Sequence, residues 1–226
     1  MVQQPPSLDQ FKEQLRRLLR QETEHCRAVQ FAKHAHIYTC GAQAGTVYFV
    51  ESGLIKLLML SPNGHECLLA MPTAGDIFGE LCLAGLDRRQ ETATAMQTTL
   101  VRAMPCAHFL ACLRRNALLE GFVQYLAVRI AEQQEIVANL VTVDSEQRLG
   151  KTLLQLAHKL GKPERGRTCI EQRISHEELS LMVGTTRPRI STFMNRFQAF
   201  GLIEVSSEHY LIVKEAPLSA YLNQIV

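Results

Sequence analysis

The stretch from Ser175 to Val213 constrains the fold most, because its local signals mark the ends of two short helices and a hairpin. Ser175 lies three residues before Glu178 and opens an apolar run, which is the pattern of a capping box at a helix start. Gly184 can adopt the positive φ that ends this helix. A second helix over about residues 186–200 then precedes two β-rich runs, "LIEV" and "YLIV". Two helices joined by a glycine turn and followed by a hairpin predict a winged helix-turn-helix.

The second helix of this stretch joins a buried apolar stripe to a narrow polar face. At 100° per residue, Ile190 and Phe197 fall on the buried side, while Arg187 and Arg189 flank the exposed side at its N-terminal end. Positive charge at this end opposes the helix dipole, yet this is the end that a recognition helix presents to bases in the major groove. An arginine there can pair with guanine or neutralise a phosphate. The pattern therefore predicts double-stranded DNA as the partner, with a solvated helix end as the alternative.

The predicted DNA contacts lie on this polar face and in the turns before it. They are Ser175, Thr185, Thr186, Arg187, Arg189, Ser191, Thr192, Asn195 and Arg196. The leading function is sequence-specific DNA binding in transcription regulation. One alternative is a ligand-binding module whose winged helix contacts protein instead. The other is an enzyme, which is not expected because the sequence shows no nucleophile–base pair, metal cluster or phosphate loop.

The first 116 residues have a different texture after an opening helix. Residues 7–20 are amphipathic, with Ser7 placed to cap the helix. From about residue 31 to 105, short β-rich runs such as "TVYFV" and "LIKLLML" alternate with Gly, Pro and Asn turn signals. Many short strands at regular spacing predict a small roll of the jelly-roll type. The fold class is therefore α+β, with an N-terminal β-roll (a double-stranded β-helix), a long helix and a C-terminal winged helix-turn-helix.

A long helix is predicted over residues 117–143, which lack proline and, after Gly121, glycine. Positions stepping by three and four give an a/d heptad pattern. They are Leu119, Phe122, Leu126, Arg129, Gln133, Ile136, Leu140 and Val143. Such a seam favours a parallel homodimer, and the alternative is a helix that lies on its own domain. The predicted domains are a sensor roll (1–116), a dimerisation helix and hinge (117–144) and a DNA-binding domain (145–226).

Composition limits the remaining classes of function. The chain has 226 residues and a net charge of +2, so no strong overall field indicates a polyanionic partner. No apolar run is long enough to span a membrane, and the N-terminus lacks the apolar segment of a secretory signal. The seven cysteines are scattered, which predicts a cytoplasmic protein with reduced thiols and neither an iron–sulfur cluster nor another metal site. A single reactive thiol, with Cys82 as the first candidate, is the alternative to inert thiols.

Nearly the whole chain resembles the CRP/FNR family of bacterial transcription regulators. The run "ISHEELSLMVGTTRPRISTFMNRFQAFGLIEV" is similar to the family's helix-turn-helix, and "VYFVESGLIKLLMLSPNGHECLLAMPTAGDIFGELCLAG" to its cyclic-nucleotide-binding-like roll. The resemblance implies a homodimer that binds a pseudo-palindromic operator and contacts RNA polymerase. It also implies that Arg187 is the recognition-helix arginine and that Ser175 contacts a phosphate. Pro188 departs from the family, because many members have a base-reading glutamate there.

The resemblance further implies an effector pocket in the roll. Its predicted residues are Gly79, Glu80, Leu81, Cys82, Arg89, Glu91, Thr92, Gln133 and Gln134. In members that bind cyclic nucleotides, an arginine followed by Ser or Thr neutralises the phosphate, and here Glu91 takes the arginine's place before Thr92. Repulsion in place of attraction disfavours cyclic AMP and cyclic GMP, unless Arg89 compensates from the same face of a strand. A different effector, no effector, and a purely architectural role for Gly79 and Glu80 stay open.

Overall fold

The computed structural model of the protein describes residues 7–61, 63–64, 66–164 and 166–224. The chain divides into two compact units, residues 1–133 and 134–226. This division falls inside the long helix. The finer boundaries expected after residues 116 and 144 stay a prediction.

The first unit opens with α1 (Leu8–Gln21), which packs against the core of the roll. Ser7 forms the expected cap, because its Oγ accepts a hydrogen bond from the Gln10 N–H and the Gln10 side chain accepts one from the Ser7 N–H. The helix buries Phe11, Leu15 and Leu19. The amphipathic helix predicted over residues 7–20 is therefore confirmed.

Eight strands in the described part of this unit form the predicted roll as two four-stranded antiparallel sheets. They are β1 (Arg27–Phe31), β2 (His36–Tyr38), β3 (Thr46–Ser52), β4 (Ile55–Leu60), β5 (Glu66–Ala70), β6 (Ile77–Phe78), β7 (Thr92–Ala95) and β8 (Thr99–Pro105). One sheet has the order β1-β8-β3-β6 and the other β2-β7-β4-β5. Tyr38, Leu57, Val50 and Val101, two from each sheet, share one buried cluster between them. A 3₁₀ helix (Glu80–Ala84) follows β6.

Two helices follow the roll, α2 (Cys106–Arg115) and α3 (Leu119–Thr142). The first half of α3 packs on its own unit, with Phe122 and Tyr125 buried. The Tyr125 hydroxyl accepts a hydrogen bond from the Ile77 N–H (2.9 Å) and donates one to the Ile77 carbonyl (3.1 Å). Arg129 donates to the same carbonyl (3.3 Å), and Leu126 packs against the core. The predicted seam is therefore wrong over this half: α3 has apolar residues on two faces, and the roll covers the predicted one.

The second unit is the predicted winged helix-turn-helix. Its elements are α4 (Ser145–Leu160), β9 (Lys162–Glu164), β10 (Arg167–Ile170), α5 (His176–Val183), α6 (Arg187–Ala199), β11 (Ile203–Val205), β12 (Leu211–Val213) and α7 (Glu215–Gln224). The strands form one sheet in the order β11-β12-β10-β9. Leu149, Ile190, Phe197 and Leu218 are fully buried in this unit. None of the helices among the described residues is long and apolar enough to cross a membrane.

Candidate DNA-binding surface and effector region

The turn between α5 and α6 is built by local sequence. The Ser175 Oγ accepts a hydrogen bond from the Glu178 N–H (3.1 Å), and the Glu178 carboxylate accepts one from the Ser175 N–H (2.9 Å). Gly184 ends α5 with φ of +67°, and its N–H donates to the Ser180 carbonyl (3.0 Å). The capping box and the glycine turn are therefore confirmed, and they fix where α6 begins.

The recognition helix α6 has the expected two faces. Ile190 and Phe197 are fully buried, whereas Arg187 and Arg189 are exposed at its N-terminal end. Thr186 occupies the capping position, but its side chain makes no capping hydrogen bond among the described residues. The first turn therefore presents backbone N–H groups and two guanidinium groups together, which suits an anionic partner.

The small hydroxyl side chains of α6 are held along the helix. The Ser191 Oγ donates to the Arg187 carbonyl (3.2 Å) and lies 2.9 Å from Nδ1 of His176, at the start of α5. The Thr192 Oγ1 donates to the Pro188 carbonyl (3.1 Å). Thr192 and Asn195 are exposed, and Thr185 is half-buried in the turn. His176 was not predicted from the sequence, although its place directly after the capping Ser175 was a usable signal.

Arg196 has an intramolecular partner that the sequence did not reveal. Its Nη1 lies 2.5 Å from a carboxylate oxygen of Glu146 in α4, and 47% of the Arg196 side chain is exposed. The Tyr221 hydroxyl of α7 donates to the other oxygen of Glu146 (2.8 Å). The Arg196 guanidinium is therefore paired with Glu146 of the same unit, whereas Arg187 and Arg189 at the start of α6 are exposed.

In the roll, the backbone turn at Gly79 closes around Arg89. Gly79 has φ of +73°, and a Cβ there would lie only 2.6 Å from Nη1 of Arg89. Nη1 and Nη2 of Arg89 donate to the carbonyls of Gly79 (2.8 Å) and Thr46 (2.6 Å). The guanidinium carbon lies 4.2 Å from the ring centre of Tyr38, and Arg89 is only 4% exposed. Arg89 precedes β7 instead of lying on a strand, and its guanidinium reaches the Gly79 carbonyl. That Arg89 compensates for Glu91 in binding a phosphate stays a prediction.

Glu91, two residues after Arg89, is also buried but has a different hydrogen-bond partner. It is 4% exposed, and its carboxylate accepts a hydrogen bond from the Tyr38 hydroxyl (2.6 Å). Burial, followed by the charge of Glu91 and this hydrogen bond, raises the pKa of Tyr38. Tyr38 therefore stays a neutral donor that satisfies Glu91 inside the roll. Thr92 is likewise engaged, because its Oγ1 accepts from the Cys40 N–H (3.0 Å).

The remaining predicted pocket residues differ in their burial and in their contacts. Glu80 is half-buried, and burial, the largest effect, raises its pKa against the opposing charges of Arg129 and Arg89. Leu81 is 44% exposed, whereas Cys82 is buried. Gln133 donates from Nε2 to the Leu69 carbonyl of β5 (3.4 Å), and Gln134 is exposed on α3. The structure thus brings Gly79, Glu80 and Arg89 together and ties Gln133 to β5.

The roll and the winged helix together define a DNA-binding transcription regulator with a domain of the cyclic-nucleotide-binding type. Residues 28–116 match the model of the cyclic nucleotide-binding domain, and residues 147–221 match that of the Crp-like helix-turn-helix domain. The transcriptional regulator LdrP of Thermus thermophilus is 30% identical over 190 residues, which cover 84% of this chain and 93% of LdrP. The chain belongs to the CRP/FNR family, whose regulators bind DNA and typically act as dimers.

Two further comparisons agree with this assignment. The CRP-like cAMP-activated global transcriptional regulator of Mycobacterium tuberculosis is 28% identical, with 84% of this chain and 85% of that protein covered. The crystal structure of a CRP-family transcriptional regulator of Thermus thermophilus, TTHB099, is 27% identical with a TM-score of 0.71, covering 86% and 96% of the two chains. The relatives are transcription regulators and not enzymes, as the sequence predicted.

Proposed function

We propose that two copies of this chain pair along α3 and bind a two-fold symmetric DNA site through their α6 helices. A line of exposed apolar side chains on α3 carries the proposal. Val123 and Ile130 are each 58% exposed, and Val137 is 61% exposed. Ala127, Gln134 and Val141 each follow one of these residues by four positions. The six positions therefore alternate in steps of four and three. This spacing is that of a coiled-coil seam, and over the first half of α3 we propose it in place of the seam read from the sequence.

A charged residue in this seam tests the pairing. Val137→Lys is expected to yield monomers in sedimentation experiments and to lose binding to the symmetric site, because a lysine at a seam position cannot be buried unpaired. Val128→Lys is the matched control, since Val128 is 42% exposed on the same helix but lies off the seam. A dimeric Val137→Lys variant with full DNA binding would contradict the pairing.

Binding to DNA is tested by selecting genomic fragments with the purified protein at moderate salt. We expect enrichment of one two-fold symmetric site, read by Arg187 and Arg189, because these arginines stand exposed where a recognition helix meets base edges. Ser175, Ser191 and Asn195 are proposed to contact the backbone or bases beside them. No preference over random DNA, with the protein folded and dimeric, would favour a winged helix that contacts protein.

We further propose that the roll takes a small anionic effector beside Arg89. Arg89 is buried, and among the described residues its Nε is one of three buried side-chain nitrogens or oxygens that lack a hydrogen-bond partner. A buried donor of this kind is costly to leave unsatisfied. Glu91 is held by the Tyr38 hydroxyl, and we propose that the positive charge of Arg89 outweighs its repulsion of a phosphate. The cAMP-activated relative adds support for a cyclic nucleotide.

Paired titrations test this effector. Isothermal calorimetry of the reduced dimer with cyclic AMP is expected to show binding, whereas adenosine, which lacks the phosphate, is expected to bind weakly or not at all. The same binding for both would contradict an anionic contact. No binding of cyclic AMP or cyclic GMP would restore the expectation, drawn first from Glu91, that another effector or none acts here.

Contact with RNA polymerase, implied by the family resemblance, completes the proposal of a cytoplasmic regulator. In vitro transcription from a promoter that carries the selected site is expected to change when the dimer is added. Unchanged transcription under conditions of saturated DNA binding would argue against this contact.

A further inference from the structure

The start of α5 meets the polar face of α6 through one side-chain contact. Nδ1 of His176, the first residue of α5, lies 2.9 Å from the Ser191 Oγ. Both residues are half-buried, and Ser191 follows the exposed Arg187 by one turn of α6. The imidazole therefore lies beside the surface that is proposed to bind DNA.

The hydrogen bonds of Ser191 determine which ring nitrogen of His176 carries the proton. A serine hydroxyl has one hydrogen to donate, and here it goes to the Arg187 carbonyl (3.2 Å). The Ser191 oxygen therefore accepts from His176, which requires the hydrogen of the neutral imidazole to be on Nδ1. Nε2 then carries a lone pair, and it has no hydrogen-bond partner among the described residues.

A second proton on the ring changes what Nε2 of His176 can bind. The neutral ring presents a lone pair there, and the phosphate oxygens of DNA are also acceptors, so the two do not bond. The protonated ring donates from both nitrogens. A charged donor makes a hydrogen bond about twice as strong as a neutral one, and histidine is the side chain that exchanges protons near neutral pH.

We propose that His176 is a further contact to a DNA phosphate, made from Nε2 and only by the protonated imidazole. This inference rests on the proposed binding of α6 to DNA and adds a dependence on pH, with affinity rising as the pH falls. The bond from Nδ1 to Ser191 is available in both protonation states. Protonation therefore adds a contact without rearranging the recognition helix.

Charged groups of both signs surround His176. Glu177 and Glu178 follow it in the first turn of α5 and favour a proton on the ring. Arg187 of α6 and the positive end of the α5 dipole oppose that proton. Arg173, three residues earlier, donates to a backbone carbonyl in the turn between β11 and β12 (3.2 Å). The phosphate of a bound duplex adds negative charge at Nε2, so DNA binding should take up protons.

DNA binding by the full chain at about pH 8 and about pH 5.5 tests the inference. The affinity of the wild type for the selected duplex, followed by fluorescence anisotropy at one salt concentration, is expected to rise about tenfold at the lower pH. His176→Asn should lose most of this rise, because its amide can bond to Ser191 but cannot gain a charge. His158→Asn is the matched control and should keep the rise, since His158 is exposed on α4 of the same unit.

A random duplex separates this inference from the proposed function. A phosphate contact should strengthen binding to both duplexes at low pH, because phosphates carry no sequence information. A rise of the same size in His176→Asn would overturn the inference and leave the proposed function intact. Loss of sequence preference, with the His176-dependent rise retained, would overturn the proposed function alone. No binding of either duplex would overturn both.

Two measurements on the wild type decide even if a variant fails to fold. NMR of the ring nitrogens of His176 in the free protein is expected to show the neutral form protonated on Nδ1. Calorimetry in buffers of different ionisation enthalpy is expected to show net proton uptake on binding DNA near neutral pH. A neutral ring protonated on Nε2, or binding without proton uptake, would contradict the inference. His176→Lys, whose charge is permanent, should bind without the uptake.

Discussion

The two units of this protein place arginine in opposite settings. At the start of α6, Arg187 and Arg189 are exposed on a helix end that already carries positive partial charge. In the roll, Arg89 is 4% exposed and donates to two backbone carbonyls. An exposed guanidinium costs little to place and is available to an outside anion. A buried one organises the backbone around it, so its removal has consequences for folding as well as for binding.

The same substitution in both settings gives the largest contrast. Arg89→Met leaves the carbonyls of Gly79 and Thr46 without their donor, and we expect the free energy of unfolding to fall by about 3 kcal/mol. Arg187→Met should change it by less than about 0.5 kcal/mol, because surface substitutions away from buried contacts are nearly neutral. Chemical denaturation of both variants measures the difference. Equal stabilities would show that Arg89 does not organise the roll.

A buried carboxylate of the roll extends the comparison to pH. Burial favours a raised pKa for Glu51, but hydrogen bonds and charges from Arg20 and Arg102 outweigh it, so the pKa lies below its usual 4.5. Such a group stabilises the fold above its unfolded pKa and loses this contribution as the pH falls through the folded value. We expect Glu51→Gln to lower the free energy of unfolding by about 2 kcal/mol at about pH 7.

Denaturation across a pH series checks this prediction. The gap between the wild type and Glu51→Gln should narrow as the pH falls below 4.5, because protonation then removes from the wild type the charge that the variant already lacks. Glu13→Gln is a suitable control, since Glu13 also pairs with arginines of α1 but its side chain is 45% exposed. A gap that stays constant with pH would contradict the role of the Glu51 charge.

Loss of the exposed Arg187 side chain is expected to weaken DNA binding. Arg187→Ala should weaken binding to the selected site by about 1–3 kcal/mol and relax its sequence preference. Fluorescence anisotropy with specific and random duplexes measures both effects. Equal losses on the two duplexes would assign Arg187 to a phosphate instead of a base.

The smallest effect concerns Arg196. Its side chain is 47% exposed but paired with Glu146, so it is intermediate between the exposed Arg187 and the buried Arg89. Glu146→Gln removes the charge that holds Arg196, so that its guanidinium is free to meet a phosphate. The slope of log affinity against log salt should steepen by about 0.9 per protomer. Tyr221→Phe, which keeps the Glu146 charge, is the matched control. An unchanged slope in Glu146→Gln would remove Arg196 from the DNA contacts.

The sequence alone determined the recognition motif, because its signals act over three or four residues. The capping box of Ser175 and Glu178, the turn at Gly184 and the buried stripe of α6 follow from such short spacings. The roll was also predicted as a class, since alternating short strands and turn residues allow few other folds. Its register and the helices α2 and α7 were not predicted.

Only the tertiary structure decided which face of α3 is exposed and which charges find partners. A helix with apolar residues on two faces can bury either one, and over the first half of α3 the roll covers the face that carries Phe122 and Tyr125. The contact of Arg89 with Thr46 spans 43 residues, and that of Arg196 with Glu146 spans 50. Pairs so distant leave no periodic signal in the chain, because their approach depends on how whole elements pack and not on local conformational preference.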